Sequence, residues 1–155
     1  LVSIAGLDAN KNNRLRLSLR DKNIHLLMIK NSLARRAAEG TPLAAAFEQM
    51  DHDSNHELIV AELNGVVIGT LHLMYLPSLS FQGRLRAQVE SVRIDKPYQS
   101  QGIGSDMIRW AIERAQVRGA HVVQLTTHMS RTDAHRFYER LGFKGSHLGM
   151  KLSLK

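Results

Sequence analysis

The stretch from Gln88 to Ser105 constrains the fold more than any other part of the chain. It reads Gln-Val-Glu-Ser-Val-Arg-Ile-Asp-Lys-Pro-Tyr-Gln-Ser-Gln-Gly-Ile-Gly-Ser: a β-strand, a short turn containing Pro97, a loop with two glycines, and then a helix. The helix is predicted from about Gly102 because Ile103, Met107, Ile108, Ala111, Ile112 and Ala115 recur at the three- and four-residue spacing of one buried face. It stops at Gly119. A helix start carries unpaired N–H groups and the positive end of the dipole, and glycines at 102 and 104 let a ligand come close to them. The result is an anion cradle suited to phosphate, although a tight turn without a ligand has the same spacing.

The junction is not a dinucleotide-binding fingerprint, since Met107 stands where a third glycine is required. It is not a P-loop either, since no Lys-Ser or Lys-Thr follows the second glycine. Gln99-Ser100-Gln101-Gly102-Ile103-Gly104 does resemble the acetyl-CoA signature of the GNAT superfamily of N-acetyltransferases. In that signature Gln or Arg, two variable residues, Gly, one variable residue and Gly or Ala grip the pyrophosphate. A second stretch, Arg131-Thr-Asp-Ala-His-Arg-Phe-Tyr-Glu-Arg-Leu-Gly-Phe143, resembles the Phe-Tyr-x-x-x-Gly-Phe motif of the same family. The resemblance covers about residues 47–155. It implies an α/β (α+β) fold: a mixed, mainly antiparallel twisted sheet with helices on both faces. It further implies an enzyme that moves an acetyl group from acetyl-CoA to a primary amine by direct attack. The coenzyme would lie against Gln99, Ser100, Gln101, Gly102, Ile103, Gly104 and Ser105.

Acetyl transfer from a thioester to an amine needs a deprotonated amine, a stabilised carbonyl oxygen and a protonated or stabilised thiolate. Strand alternation groups Gln88, Glu90, Val92 and Ile94 on one face, an acid among partly apolar neighbours. Half-buried, such a carboxylate has a raised pKa and suits a base working directly or through water. Family members place a glutamate here for that role; the plain alternative is a surface or salt-bridged glutamate. Tyr138 falls beside Phe137, where its ring can pack while its hydroxyl faces the site, and in the family this tyrosine serves the coenzyme sulfur. Backbone groups of Val92, Arg93 and Ile94 are expected to hold the carbonyl and pantetheine arm, where the strand parts from its neighbour. Arg131 stands where many family members carry an asparagine; an arginine could reach a phosphate instead. His128 and His135, seven apart across a loop, are not a ligand signature, and no metal is expected.

The 155 residues suffice for one domain with a single sheet. With no cysteine, thiolate catalysis and disulfides are excluded, which suits a reducing, cytoplasmic setting. No apolar run approaches the roughly 20 residues of a membrane helix, and no signal-peptide pattern opens the chain. The chain does not begin with Met, as expected of a processed or incomplete sequence. The net charge of +7 is uneven. Residues 1–40 hold eight Lys or Arg against three Asp or Glu, or +5; residues 41–155 hold thirteen against eleven, or +2.

Residues 1–46 carry a different resemblance. Leu1-Val-Ser-Ile-Ala-Gly-Leu, Asn13-Arg14-Leu15-Arg16 and Lys30-Asn31-Ser32-Leu33-Ala34-Arg35-Arg36-Ala37 resemble the N-terminal rRNA-binding region of the ribosomal stalk-base protein. The resemblance implies rRNA contacts from the Lys30–Arg36 run; a capped helix with solvated arginines explains the same residues. This segment is expected to read strand, helix (Asp8 to Lys22), strand (Ile24 to Ile29, buried) and helix (Asn31 or Ser32 to Gly40). Three arrangements are open to it: completing the acetyltransferase core within one domain, forming an appendage, or marking a fusion. The competing functional reading is therefore an RNA-binding or ribosome-associated module acting through residues 1–40. The acceptor amine, a small molecule or a peptide, is left open, and a homodimer is one expected assembly.

Beyond Pro42 the expected order is a helix to about Gln49, strands 57–63 and 66–75 joined by the hairpin signal Asn64-Gly65, and a strand 85–95. After the Gly102 helix come a buried strand 121–127, a helix 133–141 closed by Gly142, and a final strand 146–153.

Overall fold

A computed structural model describes residue 19, residues 21–29 and residues 39–154. The strand expected at 1–5 and the helix expected at 31–40 lie outside the described residues, apart from Glu39 and Gly40; of the helix expected at 8–22, Leu19, Asp21 and Lys22 are described, the first two helical and Lys22 in a turn. Among the described residues five strands form one sheet in the order β1 (Ile24–Ile29), β2 (His56–Leu63), β3 (Val66–Leu76), β4 (Arg86–Ile94) and β5 (Val122–Leu125). The first four pair antiparallel and β4 pairs with β5 in parallel. The longer helices among the described residues are α1 (Leu43–Asp51), α2 (Ile103–Val117) and α3 (Thr132–Arg140). This is the mixed, mainly antiparallel sheet expected from the sequence.

Local chemistry explains the joints. Asn64 and Gly65 both have positive φ, 51° and 80°, as the tight turn between β2 and β3 demands. The β3–β4 connection makes a single turn at Ser80–Gly83, with Phe81 and Gln82 left-handed. Helix α2 crosses the sheet because β4 and β5 run parallel and need a crossover. Its Ile103, Met107, Ile108, Ala111 and Ala115 are buried, as their spacing predicts. They meet Leu71, Leu73 and Tyr75 of β3 and Ala87 and Val89 of β4 in one core.

At the far end of α2, Glu57 is 5% exposed. It accepts hydrogen bonds from Arg114 (Nη2 to Oε1, 2.8 Å), Arg118 (3.2 Å) and the Tyr75 hydroxyl (3.3 Å). The Arg118 guanidinium also lies 4.0 Å from the Tyr75 ring centre. A buried carboxylate is tolerated only with such partners, so this cluster fixes α2 against β2 and β3. Burial, followed by the Glu57 charge, holds Tyr75 well above the usual tyrosine range.

Four expectations are corrected. Ile24–Ile29 is an edge strand with His25 exposed and Leu26 to Met28 half-buried, because β1 has a neighbour only in β2 among the described residues. β5 is shorter than expected and also an edge, with Val122 exposed and the rest half-buried. Residues 146–153 form no strand. Leu148, Met150, Leu152 and Leu154 alternate as a strand face would, yet all are exposed, and no ladder includes them. Alternation tells which residues share a face, but a strand exists only through pairing.

The fourth correction bears on the site. Alternation does not hold along β4: Thr70 faces Arg93 and His72 faces Glu90, so one residue of β3 (Leu71) spans two of β4, Ser91 and Val92. Ser91 takes up the extra residue with φ 53°. Val92 and Ile94 therefore join Ala87 and Val89 against the core, while Gln88 and Glu90 stay on the opposite face.

Candidate active site

The loop between β4 and α2 is held open by its own side chains. Gln99 donates to the carbonyl of Ile94 at 2.8 Å and Gln101 to that of Pro97 at 3.0 Å. Ser100 (φ 62°) and Gly102 (φ 83°) are left-handed, which turns the chain sharply into α2. The first helical bond runs from the Asp106 N–H to the Gly102 carbonyl, 3.0 Å. The N–H groups of Gly102, Ile103, Gly104 and Ser105 precede it and have no acceptor within the helix. Gln99 to Gly102 thus form the turn that leads into α2, braced by the two glutamine side chains, while Ile103, Gly104 and Ser105 open the helix and the Ile103 side chain is buried in the core.

Lys22, at the end of the helix expected over 8–22, also reaches this loop. Its Nζ donates to the Gln101 carbonyl at 3.1 Å and to Asp106 at 3.3 Å, and it lies 3.2 Å from where a Gly102 Cβ would stand. A cation beside free N–H groups and a bare glycine suits an anionic pyrophosphate, so these residues fit acetyl-CoA. The contact links positions 84 residues apart, and no local pattern could have announced it.

The second motif packs directly on the first. A Cβ on Gly104 would lie 3.6 Å from the Phe137 ring and 3.6 Å from Ile94. The next residue, Tyr138, makes edge contacts with Phe137 (4.9 Å) and Phe143 (5.8 Å). Burial raises the Tyr138 hydroxyl above the usual tyrosine range, partly offset by the charge of Arg131 at the start of α3. Tyr138 therefore holds its proton across the neutral range. His128 and His135 brace the preceding loop: His128 bonds Ser130 at 2.8 Å, and His135 meets the His128 carbonyl at 3.0 Å. Among the described residues no group of three or more His, Asp or Glu side chains is disposed to hold a metal.

β4 parts from β5 beside the cradle. Their parallel register ends at Val89 and Leu125, while β4 stays paired with β3 as far as Ile94. The β5-facing edge of Val92, Arg93 and Ile94 accordingly has no strand partner among the described residues, where an extended arm could lie.

Glu90 is exposed rather than half-buried, so burial does not supply its basicity. It accepts from Gln88 at 3.4 Å, and Gln88 accepts from Gln124 at 2.7 Å. Across the strand from Glu90 stands His72, which no motif in the sequence marks. Its Nε2 lies 3.0 Å from Nδ1 of His56, and Asp53 stands 3.6 Å from the other ring nitrogen of His56. Burial lowers the His72 pKa, His56 lowers it further and Glu90 raises it.

The chain belongs to the Acetyltransferase (GNAT) family, whose model matches residues 25–143. An aminoalkylphosphonate N-acetyltransferase of Salmonella typhimurium is 37% identical over 98 residues, 61% of either chain. The chain thus spans about three fifths of that relative's length. A crystal structure described as a transcriptional regulator from Bacillus halodurans superposes with a TM-score of 0.72 at 36% identity, over 84% of this chain and 99% of that one. A 50-residue stretch, 32% of the chain, is 44% identical to large ribosomal subunit protein uL10 of Burkholderia ambifaria and covers 30% of it. No helix among the described residues is long and apolar enough to cross a membrane.

Proposed function

We propose that the chain is an acetyl-CoA-dependent N-acetyltransferase acting, in the cytoplasm, on a primary amine. The observation that carries this reading is the contact of the two motifs: Phe137, beside Tyr138, covers Gly104 of the cradle. When bound, acetyl-CoA supplies an acetyl group activated as a thioester. The N–H groups of Gly102 to Ser105, with Lys22 beside them, hold the pyrophosphate. Val92, Arg93 and Ile94 offer backbone groups to the arm, and Arg131 offers a charge near Tyr138. Glu90 faces the acceptor, draws its ammonium and takes the proton, directly or through water. Tyr138 keeps a proton at its hydroxyl for the departing sulfur. β1 pairs with β2 in the same sheet, which supports a single domain in which part of the atypical segment 1–46 completes the core.

The relative that acts on aminoalkylphosphonates makes small amines bearing an anionic group the first acceptors to try. Titration calorimetry with acetyl-CoA tests the reading. Micromolar binding, with a rise in melting temperature by linkage, is expected; no heat at millimolar coenzyme overturns it.

A second reading rests on the uL10-like stretch and the +5 charge of residues 1–40. It requires salt-sensitive binding to rRNA fragments that Arg35→Ala and Arg36→Ala together weaken. Unchanged affinity and salt slope in that double variant would remove it.

A further inference from the structure

We propose that the proton taken from the acceptor amine comes to rest on His72, and that His56 and Asp53 hold His72 in the tautomer able to receive it. This inference deepens the acetyl-transfer reading and rests on it. His72 stands across the strand from Glu90, and an imidazole ring is the side chain suited to accept and release a proton in the neutral range.

The geometry selects the tautomer. Asp53 stands beside Nε2 of His56, 3.6 Å away, and a carboxylate there favours a proton on that nitrogen. Nδ1 of His56 is then an acceptor. It lies 3.0 Å from Nε2 of His72, which must donate to it. The neutral His72 ring has its one proton on Nε2 and a free lone pair on Nδ1, and no protein hydrogen bond to that Nδ1 is present among the described residues. Glu90 is the cross-strand neighbour of His72 on β4, and Gln88 and Gln124 steady its carboxylate.

The step balances as a two-stage transfer. An N–H bond of the ammonium breaks and an O–H bond forms on Glu90. That O–H then breaks and an N–H forms at Nδ1 of His72, directly or across one water. Glu90 returns to carboxylate, the amine is neutral, and His72 ends as an imidazolium donating to His56. After product leaves, the proton passes to solvent. The charges facing His72 are His56 on β2, Asp53 before it, and Glu90 and, further along the same face, Arg93 on β4; Leu58, its direct partner on β2, is apolar.

His56 depresses the His72 titration and Glu90 raises it, so the two neighbours give opposite signatures. The test joins NMR titration of the histidine ring protons in the free protein with the pH profile of kcat/KM for acetyl-CoA and an aminoalkylphosphonate. His56→Asn should move the His72 midpoint and the acidic limb of the profile to higher pH; Glu90→Gln should move both to lower pH. His72→Gln should remove the limb and lower kcat/KM at neutral pH about 10²-fold or more, in the range of lost general base catalysis. A His72 midpoint that ignores His56→Asn contradicts the pairing whatever the activity. Turnover by His72→Gln with the wild-type acidic limb overturns this assignment alone. A wild-type protein that acetylates none of a panel of amines overturns the acetyl-transfer reading, and this inference with it.

Discussion

The Phe137 ring lies 3.6 Å from the position that a Gly104 side chain would begin to fill. The distance is ordinary van der Waals contact, so the free protein has room for one methyl group but not for a branched side chain. Gly104→Ala should fold normally and bind acetyl-CoA. Gly104→Val should press on Ile94 and Phe137, costing about 1–3 kcal/mol of stability, and weaken the coenzyme as well. Thermal melts and calorimetry on both variants check this; equal affinity in Gly104→Val would show that the glycine serves the packing against Phe137 and not a ligand.

Lys22 reaches the Gln101 carbonyl and Asp106 at the mouth of the same loop. Its side chain is 37% exposed, so its pair with Asp106 adds little to stability. Against a phosphate the same charge is worth more. Lys22→Ala should weaken acetyl-CoA by about 10- to 150-fold, as a charge-assisted hydrogen bond of about 1.5–3 kcal/mol implies, while the melting temperature of the free protein changes little. The affinity loss should fade at high salt.

Tyr138 carries a proton that burial keeps on it across the neutral range. Tyr138→Phe leaves the ring contacts with Phe137 and Phe143 in place and removes only the hydroxyl. Coenzyme affinity should stay near wild type while the turnover number falls by about 10²- to 10⁴-fold. Full turnover under conditions where chemistry is rate-limiting would reduce the tyrosine to packing.

His72 also marks a pH dependence of stability. Its folded pKa is lowered from the model-compound value of 6.5 by burial and by His56. Below about pH 6.5 the unfolded chain therefore takes up a proton that the folded chain still refuses. The contribution is fully present above the unfolded pKa and is lost as pH falls towards the folded one. Urea melts between pH 7.5 and about 5 should show the wild type losing more stability than His72→Gln; parallel curves would contradict the shift.

What the sequence disclosed and what it hid have physical causes. Gly102 and the apolar face from Ile103 to Ala115 were legible because a turn needs left-handed backbone and a buried helix needs a 3.6-residue period. Asn64-Gly65 announced its hairpin for the same reason. The bulge at Ser91 was not legible, since serine has no special claim on a positive φ, and so the alternation of Gln88, Glu90, Val92 and Ile94 was carried straight through it. The exposure of Glu90 was hidden with it. His56 and His72 are 16 residues apart and meet only through the β2–β3 register, and Lys22 meets Asp106 only after the sheet is assembled. The row Leu148, Met150, Leu152 and Leu154 reads as a strand face, but no sequence window states which edge would pair with it.

The measurement that bears most directly on the central claim is amine-dependent release of the coenzyme A thiol. Purified protein would be mixed with acetyl-CoA and, in turn, an aminoalkylphosphonate, polyamines, aminoglycosides, amino acids and peptides with free N-termini. At least one amine should yield thiol and N-acetylated product in equal amounts, at a rate that Tyr138→Phe and Glu90→Gln each depress. Tight binding of acetyl-CoA with no amine acetylated, or thiol released at the same rate with and without amine, would contradict acetyl transfer as the function of this site.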